Sequence, residues 1–74
     1  MYLLFAIKVE GCASIRTFES LKEAKTAFKE KISQGDLSYT IGFALYDLNQ
    51  STVFGRGDYG FYGEPIEEWE NEEY

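Results

Sequence analysis

The 74-residue chain has no histidine, one cysteine (Cys12), one proline (Pro65), one methionine and one tryptophan. Without histidine there is no ordinary general base near neutral pH, and no Ser-His or Cys-His pair. A zinc site fails on ligand count, because neither imidazole nor a cysteine cluster is present. A lone cysteine rules out an intrachain disulfide. No apolar run approaches the roughly 20 residues that span a bilayer. The apolar stretch Tyr2–Ile7 precedes the first base, Lys8, so it lacks the basic start of a secretory signal. A single thiol and no such signal predict a cytoplasmic protein. These absences lead to expectations of no catalytic residues, no metal, no cofactor and no enzymatic activity.

Bases are also scarce where acids are dense. The chain carries 7 Lys and Arg against 13 Asp and Glu, a net charge of −6. Residues 64–74 hold six of those carboxylates and no base, so the remaining 63 residues are neutral as a group. Residues 1–34 carry a net +2 and residues 35–74 a net −8, with Arg56 the one base of the second half. This split predicts an electrically bipolar molecule, and the acidic balance argues against direct nucleic-acid binding.

A domain this short buries only about 60–65% of its unfolded surface. With no disulfide or metal, stability must come from aromatic packing or a partner chain. Six Phe, six Tyr and one Trp are available for that packing.

Hydrophobic periodicity places the elements. Residues 2–10 alternate as a strand, with Leu3, Phe5, Ile7 and Val9 expected on the core face. Gly11, Cys12 and Ala13 read as a turn, and Ser14–Phe18 as a return strand with Ile15 opposite Val9 and Arg16 opposite Lys8. Ser20 and Glu23 fit a capping box. The helix that follows presents Leu21, Ala24, Ala27, Phe28 and Ile32 as one apolar stripe, with Lys22, Lys25 and Lys29 on its polar face. Gly35 suits a left-handed position after the helix. Leu37–Leu48 reads as a long strand, Asp47–Ser51 as a turn, and Thr52–Arg56 as its hairpin partner. Four glycines then interrupt Tyr59, Phe61 and Tyr62. Pro65 can open a short final helix, on which Ile66 and Trp69 would share a face.

The expected fold is α+β: a small antiparallel sheet of three or four strands (β-(β)-α-β-β) with one amphipathic helix on one face, plus an acidic C-terminal tail or short helix. The divisions are a sheet-and-helix domain over residues 1–63 and an acidic, aromatic-containing segment over residues 64–74. The second sheet face, with Tyr2, Leu4, Ala6, Gly42, Ala44 and Tyr46, is apolar. It serves either as a dimer or partner interface or as the seat of the glycine–aromatic loop and Trp69.

Several short patterns carry ordinary readings. Asp47, Asn49, Ser51 and Asp58 fall on calcium-loop positions, but Thr52 stands where that loop needs glycine. Gly55, Gly57 and Gly60 have dinucleotide-turn spacing without a following helix, and Asp58 would repel phosphate. Arg56-Gly57-Asp58 matches an adhesion tripeptide that carries little information. Cys12 beside Arg16 is an ordinary loop cysteine unless its pKa is lowered.

The candidate site is the acidic segment with its aromatic neighbours. Asp58, Glu64, Glu67, Glu68, Glu70, Glu72 and Glu73 supply a negative field. Tyr59, Phe61, Tyr62 and Trp69 supply anchors, since aromatic residues concentrate binding energy. As a helix the segment would present roughly one charge per 3 Å, close to the phosphate spacing of about 3.4 Å along one DNA strand. As an extended chain its charge density would be about half of that.

The type is similar to small acidic, aromatic-rich proteins of phages and mobile elements. Several of these inhibit host nucleases and CRISPR effectors by occupying nucleic-acid sites. The expected function is therefore a non-enzymatic module that binds a basic protein partner. The alternatives are a structural subunit that dimerises through the apolar sheet face, and a nucleotide-like ligand held under the glycine–aromatic loop.

Overall fold

The computed structural model describes residues 1–35 and 37–72. Its elements run β1 (Tyr2–Lys8), β2 (Ala13–Phe18), α1 (Leu21–Gln34), β3 (Thr40–Asp47), β4 (Arg56–Gly57), β5 (Gly60–Phe61) and β6 (Glu67–Glu70). The main sheet has the order β2-β1-β3-β6 with every neighbour antiparallel, and β4 and β5 form a separate two-stranded ribbon. This is a small α+β fold with one helix packed on a four-stranded sheet. Among the described residues no helix is long and apolar enough to cross a membrane.

The helix forms where its signals lie. Ser20 is the N-cap and its side chain accepts from the Glu23 N–H at 3.4 Å. Ala24 and Phe28 are buried against the sheet, with Leu21 and Ala27 half-buried beside them. Ile32, expected in that stripe, is exposed. Gly35 is not left-handed. It is extended (φ −78°, ψ 155°), and glycine suits it for a different reason: a Cβ there would lie 2.6 Å from the Lys31 carbonyl oxygen.

The strands correct the expected faces. In the register, Leu4 pairs with Leu45 and Ala6 with Phe43, so even residues of β1 share a face with odd residues of β3. Leu4, Ala6, Phe43 and Leu45 lie under the helix with Phe18. Leu3, Phe5, Ala44 and Tyr46 form a second core on the opposite face, with Ile7, Leu48 and Phe61 against it. Both strands are apolar on both faces, and a shift of one residue exchanges the faces. Alternation alone does not choose between the two registers. Val9 lies outside the core: it is exposed beyond a bulge at Ile7/Lys8, with its N–H bonded to the Tyr39 carbonyl.

The return strand is real but shifted toward the start of β1. Arg16 lies opposite Leu4 and Ile15 opposite Phe5, so no two bases oppose each other. Arg16 instead covers the Phe18 ring at 4.9 Å.

The second half departs most from expectation. Thr52–Arg56 is not a strand beside β3; only Arg56 of that stretch enters one, in the β4–β5 ribbon. The segment is drawn across the sheet face instead. The Tyr46 hydroxyl lies 2.7 Å from the Tyr62 carbonyl and 3.3 Å from the Gly55 carbonyl, donating toward both. Phe54 packs tilted against Phe5 and Tyr46, and Phe61 meets Phe5 edge-on. The glycine–aromatic loop thus covers the second sheet face, whereas Trp69 lies on the helix side. The place beside β3 is taken by the acidic segment, as strand β6.

Gly42 makes that seat possible. A Cβ there would lie 2.6 Å from the Trp69 carbonyl and 3.2 Å from the Phe61 ring. Gly42→Val therefore pushes β6 off β3, at a cost of about 1–3 kcal/mol. Because Trp69 is the sole tryptophan, its emission should shift to the red in this variant; unchanged emission and stability would show that β6 does not rest there.

Candidate functional site: an acidic strand edge beside an aromatic hairpin

In the acidic segment, apolar docking overrides helix capping. Trp69 stacks on Phe43 (centroids 4.9 Å apart, planes 27° apart), and only strand alternation lets it do so while Glu68 and Glu70 face the other way. Backbone bonds hold both ends: the Ile66 N–H donates to Leu45 at 2.7 Å and the Asn71 N–H to Ile41 at 2.9 Å. The Asn71 side-chain amide donates further to the Leu37 and Thr40 carbonyls, at 3.0 and 3.1 Å. No helix forms at Pro65: Pro65 and Ile66 precede β6, and Trp69 lies within that strand.

The strand sorts the carboxylates. Glu67 pairs with Leu45 on the helix side, while Glu68 and Glu70 pair with Ala44 and Gly42 on the loop side. The Glu70 carboxylate sits 3.2 Å from the Arg56 guanidinium, an ion pair whose side chains are 25% and 47% exposed. Such an exposed pair contributes little to stability, about 0–1 kcal/mol. It does consume the one base of the C-terminal half. Among the described residues no base pairs with Glu64, Glu67, Glu68 or Glu72. Glu64, Glu68 and Glu72 are exposed, while Glu67 is half-buried with its Oε2 enclosed and without a hydrogen-bond partner.

The aromatic candidates divide in two. Tyr59, beside the exposed Asp58 at the tip of the ribbon, is fully exposed, and Tyr62 is half-exposed. Phe61 and Trp69 are half-buried and serve packing. The ribbon meets the strand through Arg56 and Glu70, and Gly60 lies close to the Glu70 carboxylate. One side of the molecule therefore gathers Asp58, Tyr59, Tyr62, Glu68 and Glu70. Glu67 and Trp69 belong to the other side, and Glu73 lies outside the described residues. Arg56 and Tyr46, which hold the ribbon in place, were not among the expected site residues. Arg56 was detectable as the one base in an acidic half.

The shorter motifs resolve into turn chemistry. Asp47 accepts the Asn49 N–H on its side chain at 2.9 Å, and the Ser51 hydroxyl donates to the Val53 carbonyl at 2.8 Å. The Gly55, Gly57 and Gly60 set lies in and beside the β4–β5 ribbon, far from any strand-to-helix turn. Cys12 is free and exposed in the β1–β2 hairpin.

Comparison of the chain with family models, curated proteins and solved structures finds no match. The functional reading therefore rests on this surface alone.

Two outcomes follow from the geometry. Burial pushes the Tyr46 hydroxyl above its ordinary value of 10.0, with the Glu68 charge adding to the rise. The neutral phenol is thus the form that stabilises the fold. Its contribution is complete below about pH 10 and is lost as pH rises through the raised value. Tyr46→Phe should lose about 1–2 kcal/mol near neutral pH, and denaturant titrations should show the gap closing at alkaline pH. Glu67→Met, which removes the unpartnered carboxylate, should stabilise by about 1 kcal/mol; a lower melting temperature would contradict that reading.

Proposed function

We propose that this protein is a non-enzymatic binding module that places its acidic strand edge and exposed ribbon tyrosines against a basic surface of a partner protein. The observation that carries the reading is the segregation on β6. Glu68 and Glu70 face the ribbon that presents Tyr59 and Tyr62, while Trp69 and Tyr46 anchor the two supports. Aromatic anchors inside a charged rim are the composition of a recognition surface.

The partner class is a protein whose basic surface ordinarily holds nucleic acid, such as a host-defence nuclease or a CRISPR effector. The protein acts by occupying that surface. An extended strand repeats its side chains on one face about every 6.6 Å, a sparser row than a helix would offer. Recognition in this reading depends on tyrosines and carboxylates together and less on imitation of a phosphate row. The alternatives of a dimer through the apolar sheet face and of a ligand beneath the loop draw less support, because Phe54 and Phe61 fill that space.

The test is nucleic-acid cleavage by a panel of such nucleases with and without the protein. Inhibition should weaken with salt, since exposed charges are screened over about 8 Å at physiological ionic strength. Combined Glu64, Glu68, Glu70 and Glu72→Gln substitution should cost at least about tenfold in affinity, or about 1.4 kcal/mol. Tyr59→Ala should weaken inhibition without changing the melting temperature. Inhibition indifferent to salt and to the glutamine variant would rule out the charge mechanism.

A further inference from the structure

The opposite edge of the sheet has no role in that reading, and its construction is unusual. β2 carries no proline and no carboxylate, five of its six residues are exposed, and Ile15 is 55% exposed. Edge strands normally carry devices that block further pairing, and β2 has only Arg16. The Lys8 N–H donates to the Cys12 carbonyl at the hairpin end. Antiparallel alternation then turns the backbone groups of Ala13, Ile15 and Thr17 away from β1. Beside this strand runs an open cleft toward α1, formed by two hollows of about 550 and 510 Å³ that share Arg16, Ala27 and Glu30. Leu4 and Ala6 line its deeper part.

We propose that the β2 edge takes the β6 strand of a second copy of this chain, so that molecules associate head to tail into one continuous sheet. Charge selects this occupant. Arg16, Lys22 and Lys31 line the cleft against Glu23 and Glu30, a small positive excess. β6 has three carboxylates in four residues. Pairing β6 with β6 would set glutamate against glutamate, which is unfavourable. Pairing β2 with β2 would bring the two positive clefts together.

The topology accommodates the pair. The four strands alternate in direction across the sheet, so a second molecule in the same orientation meets β6 with an antiparallel β2. The bond from the Asn71 N–H to Ile41 directs Asn71, Trp69 and Glu67 inward to β3 and leaves the backbone of Glu68 and Glu70 facing outward. Those groups align with Ile15 and Ala13 of the second copy. The same register sets Glu67 opposite Arg16 and Trp69 opposite Ser14 of the second copy on the helix side. Arg16 then gives the unpartnered Glu67 carboxylate a cation. The contact is heterologous, so each added molecule leaves one β2 and one β6 edge free. An engaged β6 is closed to a basic partner, which makes the monomer the inhibitory form.

Few residues pair, so the interface falls below the roughly 1,000 Å² of a stable complex, and association is weak and concentration-dependent. Sedimentation of the intact chain at low salt over a concentration series should show average mass rising past the dimer and falling when salt is added. Arg16→Glu and Glu67→Arg should each weaken association at least about tenfold, and an equimolar mixture of the two should restore it. Ile15→Pro, which removes an outward N–H, should have the same effect as Arg16→Glu. A monomer at every concentration, association unchanged in Arg16→Glu, or a mixture that stays monomeric would overturn the proposal. Arg16→Glu leaves the acidic edge intact, so its nuclease inhibition reports separately on the proposed function.

Discussion

Phe43 is the contact on which the rest of the structure depends. Its fully buried ring meets Phe28 edge-on at 5.1 Å and Trp69 in a stack at 4.9 Å. One side chain thereby fastens the helix and the acidic strand to the same point of the sheet. Truncating such a ring costs about 3–5 kcal/mol, comparable with the whole stability of a domain this size. Three residues away along β3, Tyr46 performs the matching task on the opposite face: its ring is buried and its hydroxyl reaches the Gly55 and Tyr62 carbonyls. With a single cysteine and therefore no intrachain disulfide, the chain closes both faces of its sheet with aromatic side chains.

This arrangement decides what is left for function. Trp69 and Phe61 are taken up by packing, so exposed recognition groups are confined to Tyr59, Tyr62 and the carboxylates around them. The charge that appears in sequence as a terminal block becomes one edge of a sheet, while Arg16, Lys22 and Lys31 line the cleft beside the other edge. The bipolar molecule expected from the charge split thus acquires a direction, across the strands from β2 to β6. The proposed partner binding and the proposed head-to-tail association both use that direction.

Different elements were legible for different reasons. The helix carries redundant local signals: a cap, a stripe and a polar face that agree. The Asp47–Ser51 turn is legible because Asp and Asn bond their own backbone. The β1–β2 hairpin was visible as two strands, but its register depended on which pairs avoid opposing Lys8 with Arg16. The acidic segment reads as a solvated tail or a short helix, since charge blocks are often solvated and Pro65 and early glutamates suit a helix start. Local preference there is worth tenths of a kcal/mol to about 1 kcal/mol, and stacking Trp69 on Phe43 outweighs it. Within the candidate site, Tyr59 and Tyr62 are exposed, whereas Phe61 and Trp69 are half-buried. That Phe61 and Trp69 face inward was not readable from composition.

By itself the sequence determined the class of fold, the helix and its cap, the absence of imidazole chemistry and the concentration of negative charge after Gly63. Each of these follows from residue identity or from spacing within a few positions. Only the tertiary structure decided which face of β1 meets the helix, that the glycine–aromatic loop closes the other face, and that the acidic segment is an edge strand. Those choices compare near-equal local alternatives. Contacts between residues far apart in the chain, Phe43 with Trp69 and Tyr46 with Tyr62, are large enough to select among them.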